Sequence, residues 1–153
     1  MKQKIYDIIA MRTASYDDLS GKSPNIDKTF EETAAYIRRY AQGRDIKIAH
    51  KSSDGKPELT AWRLAELLNY ERVTNWGYLG TLLEFADDVI ARCQPHQLLV
   101  LICHLPTLET VLQYADVPIH GELPGLSPYR LRLTVTQRLL REPIYELVHV
   151  VNR

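Results

Sequence analysis

The sequence predicts an α/β fold, a three-layer sandwich in which a mostly parallel central sheet carries helices on both faces. Three observations lead there. Short, nearly unbroken apolar runs at residues 5–11 and 98–103 mark strands buried on both faces. Between the strand-like runs, apolar residues recur every three or four positions, the spacing of a helix with one buried stripe. Only near the end of the chain do two strand-like runs follow each other without room for a helix. An antiparallel pair should therefore close one side of the sheet.

Residues 5–11 form the first strand, and the polar residues 14–28, with Gly21 and Pro24, read as a loop. Thr29 and Glu32 make a capping-box pattern. Phe30, Ala34, Ile37 and Ala41 then give the stripe of a helix that Gly43 ends. Residues 46–48 alternate like a short strand, and a small polar turn follows at 51–55. Pro57 suits the first turn of a second helix, whose stripe is Ala61, Leu64, Ala65 and Leu68. Residues 73–76 read as an edge strand. Leu82, Ala86, Val89 and Cys93 mark a third helix closed by Pro95. Residues 98–103 are the most apolar run and should be central. Pro106 opens a fourth helix with Leu108, Val111, Leu112 and Ala115. After a loop from 118 to 128, residues 129–136 alternate as a half-buried strand, and 147–151 form the last one.

Composition narrows the function classes. A chain of 153 residues suits a single domain, assigned to residues 1–153, and 45% apolar with 25% charged residues is ordinary for a globular one. Nineteen basic residues balance nineteen acidic ones, so no global field favours nucleic acid or a membrane surface, and neither is expected as a partner. Two cysteines make no disulfide framework and fit a reducing compartment. Asp7 interrupts the apolar residues after the basic start, so no signal peptide is expected. No stretch approaches the roughly 18 apolar residues of a membrane span. A cytoplasmic location is expected.

Ligands of such sheets bind outside the carboxyl ends of the strands. Three polar features fall there: Arg12-Thr13-Ala14, the segment from Lys51 to Lys56, and His104. Two cations and an imidazole at one crevice suit a phosphate or another dianion. The helix after His104 adds amide donors and a positive dipole end.

The same residues carry a family resemblance. The apolar run ending Arg12-Thr13-Ala14, the segment Ser52-Ser53-Asp54-Gly55-Lys56-Pro57-Glu58-Leu59-Thr60-Ala61, and Cys103-His104-Leu105-Pro106 resemble three motifs of one superfamily. It is the histidine phosphatase, or phosphoglycerate-mutase-like, superfamily. Its members have a strand ending Arg-His-Gly, then Ser-x-x-x-Arg-Ala-x-x-Thr-Ala, then a strand ending Gly-His. Ser52, Thr60 and Ala61 fall in register, Lys56 stands for the second arginine, and His104 is retained. Motif spacing and length are most similar to the compact phosphohistidine-phosphatase branch.

The resemblance implies that Arg12, Lys56 and His104 are phosphate-binding positions, since the family's arginines and second histidine hold the transferring oxygens. The family's nucleophile is the histidine after the first arginine, and here that position is Thr13. No histidine precedes His50. A threonine hydroxyl is a poor nucleophile at neutral pH without an adjacent base. Lysine for arginine replaces a bidentate fork by a point charge, and Cys103 places a side chain where glycine allows close packing. The implied function is that of a non-catalytic member, a pseudophosphatase, that keeps an anion pocket for phosphate, a phosphorylated ligand or a protein partner. One rival is a weak or atypical phosphatase (a phosphoric monoester or phosphohistidine hydrolase) using His104 or Thr13. The other is a protein interaction module with a vestigial pocket, acting through a surface such as the Arg130 and Arg132 face.

Blander roles stand beside these. Arg12 could pair with an acidic neighbour, Lys56 could be a solvated lysine in a turn, and His104 could be a polar residue satisfied at a helix start. Cys93-x-x-His96 with Cys103-His104 lacks a second paired element, and adjacent strand residues point to opposite faces. No metal site and no cofactor are expected, and Cys103 reads as a small buried hydrophobe. Tyr16, Tyr36 and Tyr40 show no stacking platform.

Overall fold

Strands β1 (Lys2–Arg12) and β4 (Leu98–Cys103) lie side by side at the middle of the sheet in the computed structural model, which describes residues 2–51, 55–77 and 81–151. The other strands are β2 (Ile46–Lys51), β3 (Thr74–Asn75), β5 (Tyr129–Arg138) and β6 (Arg141–His149), and the order across the sheet is β3-β2-β4-β1-β5-β6. The first four in that order run parallel, with Asp7 to Arg12 in register with Leu98 to Cys103. β5 and β6 are antiparallel to their neighbours and form the closing pair that the sequence predicts.

Helices α2 (Ile26–Ala41) and α3 (Lys56–Leu68) cover one face, where Phe30, Ile37 and Leu64 pack with Ile9, Met11, Val100 and Ile102. Helices α4 (Leu82–Arg92) and α5 (Leu105–Tyr114) cover the other, where Phe85, Val89, Leu108 and Val111 pack with Ile8, Ala10, Leu99 and Leu101. β4 therefore feeds both cores with alternate residues, and every one of its residues is buried. That is why it reads as an unbroken apolar run. Each such aliphatic side chain contributes about 1.5–3 kcal/mol.

The structure corrects four expectations. Residues 14–28 are not a plain loop, because they hold α1 (Tyr16–Leu19) and the start of α2. The working capping box is at Ser15: its hydroxyl accepts from Asp18 N, and the Asp18 carboxylate accepts from Ser15 N. Thr29 instead lies inside α2, donating its hydroxyl to Asn25 O at 3.2 Å, while Glu32 pairs with Lys28. Ile26 is buried, so packing carries the helix upstream of the local pattern.

The last strand is longer and earlier than 147–151. β6 spans Arg141–His149 with only Leu147 fully buried, so Pro143 and the charges at Arg141, Glu142 and Glu146 mask it in sequence. β1 is not buried on both faces along its whole length either: Ile5 is 43% exposed, because among the described residues no helix covers that side of β5 and β6.

Both cysteines are buried, and burial pushes the thiol of Cys93 up to about 11 and that of Cys103 up to about 12. Cys103 behaves as the small hydrophobe expected of it.

Candidate functional site

After β1 the chain crosses one face of the sheet through α1 and α2, and after β4 it crosses the other face through α5. Adjacent parallel strands whose connections part in this way form a switch point, and a crevice opens outside their carboxyl ends. Arg12-Thr13 and Cys103-His104 stand at that point, in register, with Thr13 N donating to Cys103 O at 2.9 Å.

Arg12 turns toward the layer of α5. Its guanidinium donates to Leu123 O at 2.8 Å and to the Glu122 carboxylate at 3.2 Å. This is the acidic pairing considered above, but Glu122 is 78% exposed, not buried with the guanidinium.

Thr13 turns the other way, toward α3, and is buried. Its hydroxyl lies 2.8 Å from that of Thr60, which donates to Lys56 O at 2.8 Å and accepts from Ala14 N at 3.2 Å. A hydroxyl has a single proton. Each of the two hydroxyls has a backbone carbonyl to donate to, Lys56 O for Thr60 and Ala14 O for Thr13, and either can be the donor between them. Among the described residues, the other hydrogen-bond contact of the Thr13 hydroxyl is Ala14 O at 3.2 Å. No base touches it there.

Lys56 is the first residue of α3, not part of a free turn, and its ammonium sits 4.5 Å above the ring of Tyr16. Tyr16 thus has a stacking role that its spacing did not reveal. Tyr40 has one as well, beneath the guanidiniums of Arg130 and Arg44. His104 is the N-cap of α5, half-buried, and its carbonyl accepts from Leu108 N at 3.0 Å. The three sequence-predicted positions therefore lie at one end of the sheet, approached from two layers. Ser52 lies outside the described residues.

Lys51 does not join them. Its ammonium is buried against Trp76 O at 3.2 Å and Gly77 O at 3.4 Å, with Asp88 at 3.8 Å. Burial lowers its pKa, and the Asp88 carboxylate opposes that. Burial likewise lowers the pKa of His50, which sits on β2 near Glu58.

Sequence reasoning missed the part played by the loop before β5. Leu126 N donates to Arg12 O at 2.9 Å, and Thr33 donates to Leu126 O at 3.1 Å. Gly125 packs so closely that a Cβ there would stand 2.9 Å from Thr13 O. The Pro/Gly content of the loop hinted at a tight turn, but nothing in the sequence tells which residue folds back onto β1. Among the described residues no group of three or more His, Cys, Asp or Glu could hold a metal ion, and no helix is long and apolar enough to cross a membrane.

No protein-family model matches the sequence, and no curated protein matches it either. Solved structures do. Phosphoglycerate mutase from Plasmodium falciparum aligns with a TM-score of 0.54 and 12% identity over 85% of this chain and 84% of that one. The putative phosphohistidine phosphatase SixA from Agrobacterium tumefaciens aligns at 0.51 and 16% identity, over 91% and 97%. A mycobacterial glucosyl-3-phosphoglycerate phosphatase solved with VO3 aligns at 0.51 and 11%, over 93% and 97%. At such identities the likeness is one of fold. The chain has the phosphoglycerate-mutase-like α/β fold that its motifs implied.

Proposed function

We propose that this protein is a non-catalytic histidine-phosphatase-like protein that binds phosphate or a phosphorylated ligand outside the carboxyl ends of β1 and β4. The state of position 13 carries the reading. Thr13 stands where the family nucleophile would be, and among the described residues the hydrogen-bond partners of its hydroxyl are Thr60 and Ala14 O, neither of them a base. Attack on phosphorus from such a hydroxyl has nothing to activate it.

The binding half of the proposal rests on what remains. Arg12 has a planar fork suited to an oxyanion, and its present carboxylate partner is exposed, a pairing worth about 0–1 kcal/mol. A dianion can displace it. His104 and the first turn of α5 flank the same strand ends, and Lys56 approaches from α3. The fold likeness to a phosphatase solved with VO3 supports an oxyanion as occupant.

A second reading has its own observation. Arg12 is already bonded to Leu123 O and Glu122, which favours an interaction module whose pocket has closed on itself.

Phosphate or tungstate titration followed by melting temperature separates the two. Ligand that binds only the folded chain should raise the melting temperature, less so at high salt, and Arg12→Ala should abolish the rise. Phosphomonoesters and phosphohistidine peptides should show no turnover above a boiled control. Turnover lost in Thr13→Ala or in His104→Ala would restore the enzyme reading. An unchanged melting temperature, with an empty crevice in phosphate-soaked crystals, favours the interaction module.

A further inference from the structure

The outward side of α3 carries a second apolar stripe that the core does not use. Its inward stripe is Ala61, Leu64, Ala65 and Leu68, all buried. On the other side Leu59, Trp62, Arg63 and Glu66 recur at helical spacing, with Leu59 55% and Trp62 43% exposed. Single exposed apolar residues are common. These instead line a cleft of about 540 Å³ shared with Leu19 and Tyr70, within the range of ligand sites.

Beyond one end of this cleft lies the start of α3, which the anion-binding reading places beside the crevice. Lys56 stands one turn before Leu59 and covers Tyr16, which is itself 65% exposed. Thr60, next to Leu59, is the residue bonded to Thr13. Charge changes along this side of the helix. Lys56, at the start of α3 and outside the cleft lining, carries positive charge; within the lining Arg63 is paired with Asp27, and Glu66 carries negative charge.

We propose that this cleft seats the peptide chain flanking a phosphorylated residue whose phosphate occupies the crevice, an inference that rests on the anion-binding reading. Lys56 and Glu66 are ten residues apart on one helix, roughly 15 Å, which an extended peptide covers in about four residues. The preferred segment therefore has aliphatic or aromatic side chains next to the phosphorylated residue and a basic side chain about four positions away. A pure hydrocarbon tail would leave the Glu66 carboxylate beside apolar surface, so a peptide fits better than a lipid phosphate.

The probe is a five-residue phosphoserine peptide, with Leu and Phe inside and Lys at the far end, made in both chain directions. Inorganic phosphate and the unphosphorylated peptides are its controls. Trp76 is buried and Trp62 is exposed, so a blue shift of tryptophan emission reports occupancy of the cleft. We expect one peptide direction to bind at least tenfold tighter than phosphate. Trp62→Ala and Leu59→Ala should each bring it down to the level of phosphate, with phosphate affinity and urea midpoint unchanged. Glu66→Gln should weaken the Lys-ended peptide and spare one ending in Ala. Phosphopeptide no tighter than phosphate, or a tenfold advantage that survives both variants, overturns the cleft and leaves the anion reading standing. Equal binding of the unphosphorylated peptide overturns the link between cleft and crevice. Absence of phosphate binding itself overturns the anion reading, and the inference falls with it.

Discussion

β4 and β6 are both strands of aliphatic character, yet every residue of β4 is buried while β6 buries one, Leu147. The difference lies in coverage. Helices lie on both faces of β4, whereas among the described residues no helix lies over the face of β6 that carries Ile144, Glu146 and Val148. Function follows the same division. The switch point, with Arg12, Thr13 and His104, is in the covered parallel part, where strand ends and helix starts meet. At the open end the arginines of β5 are engaged within the molecule, Arg132 with Asp7 at 3.0 Å and Arg130 over Tyr40 at 3.8 Å. β1 belongs to both regions, exposed at Ile5 and fully buried from Ile8 to Met11.

The sharpest way to break this comparison is to truncate an aliphatic side chain in the covered region. Ile102 on β4 is fully buried between sheet and helices. Ile102→Ala should lower the free energy of unfolding by about 2–5 kcal/mol in urea denaturation, the sum of lost burial and a residual cavity. A loss below about 1 kcal/mol would show that the parallel part is not the rigid frame of the molecule.

Asp7 tests the seam between the two regions. Its carboxylate accepts from Arg44 at 2.7 Å and from Arg132 at 3.0 Å. Burial alone would raise its pKa, but the two guanidinium hydrogen bonds and charges prevail and hold it below the usual carboxylate value. The folded pKa is thus the lower one. Its stabilisation is complete above the unfolded value of about 4 and is lost as pH falls through the depressed folded value. Asp7→Asn should cost about 1.5–3 kcal/mol at pH 7, and it should flatten the acid limb of a stability–pH curve. An unchanged acid limb in the variant would place the acid sensitivity elsewhere.

The covered part was also the legible part. A strand between two helical layers is apolar throughout, so β4, the parallel order and the polar strand ends followed from the sequence. Partial coverage scrambles that signal: the outward residues of β6 and its Pro143 hid the first two-thirds of the strand. Capping patterns misled for a related reason, since Thr29 and Glu32 satisfy a local rule that the burial of Ile26 overrides. At the site, Arg12, Thr13, Lys56 and His104 were visible because each follows a strand or opens a helix. Glu122, Gly125 and Leu126 were not, because their contacts with Arg12 and Thr13 join residues more than a hundred positions apart. No periodicity spans such a distance.

The smallest effect belongs to the open face and is the test of coverage itself. Val148 on β6 is 38% exposed and stands opposite Arg132 in the register with β5. Val148→Thr keeps the β-branched shape that suits a strand and exchanges one methyl for a hydroxyl that water can reach. If nothing covers this face, stability should change by no more than about 0.5 kcal/mol. The urea midpoint should also be the same at low and high protein concentration. The strand is built to stay single: Pro143 removes a backbone donor, and Arg141, Glu142 and Glu146 set charges along the edge. A loss well above 1 kcal/mol, or one that grows on dilution, would mean that another chain covers Ile144 and Val148 in solution. The contrast between β4 and β6 would then be one of which molecule supplies the cover.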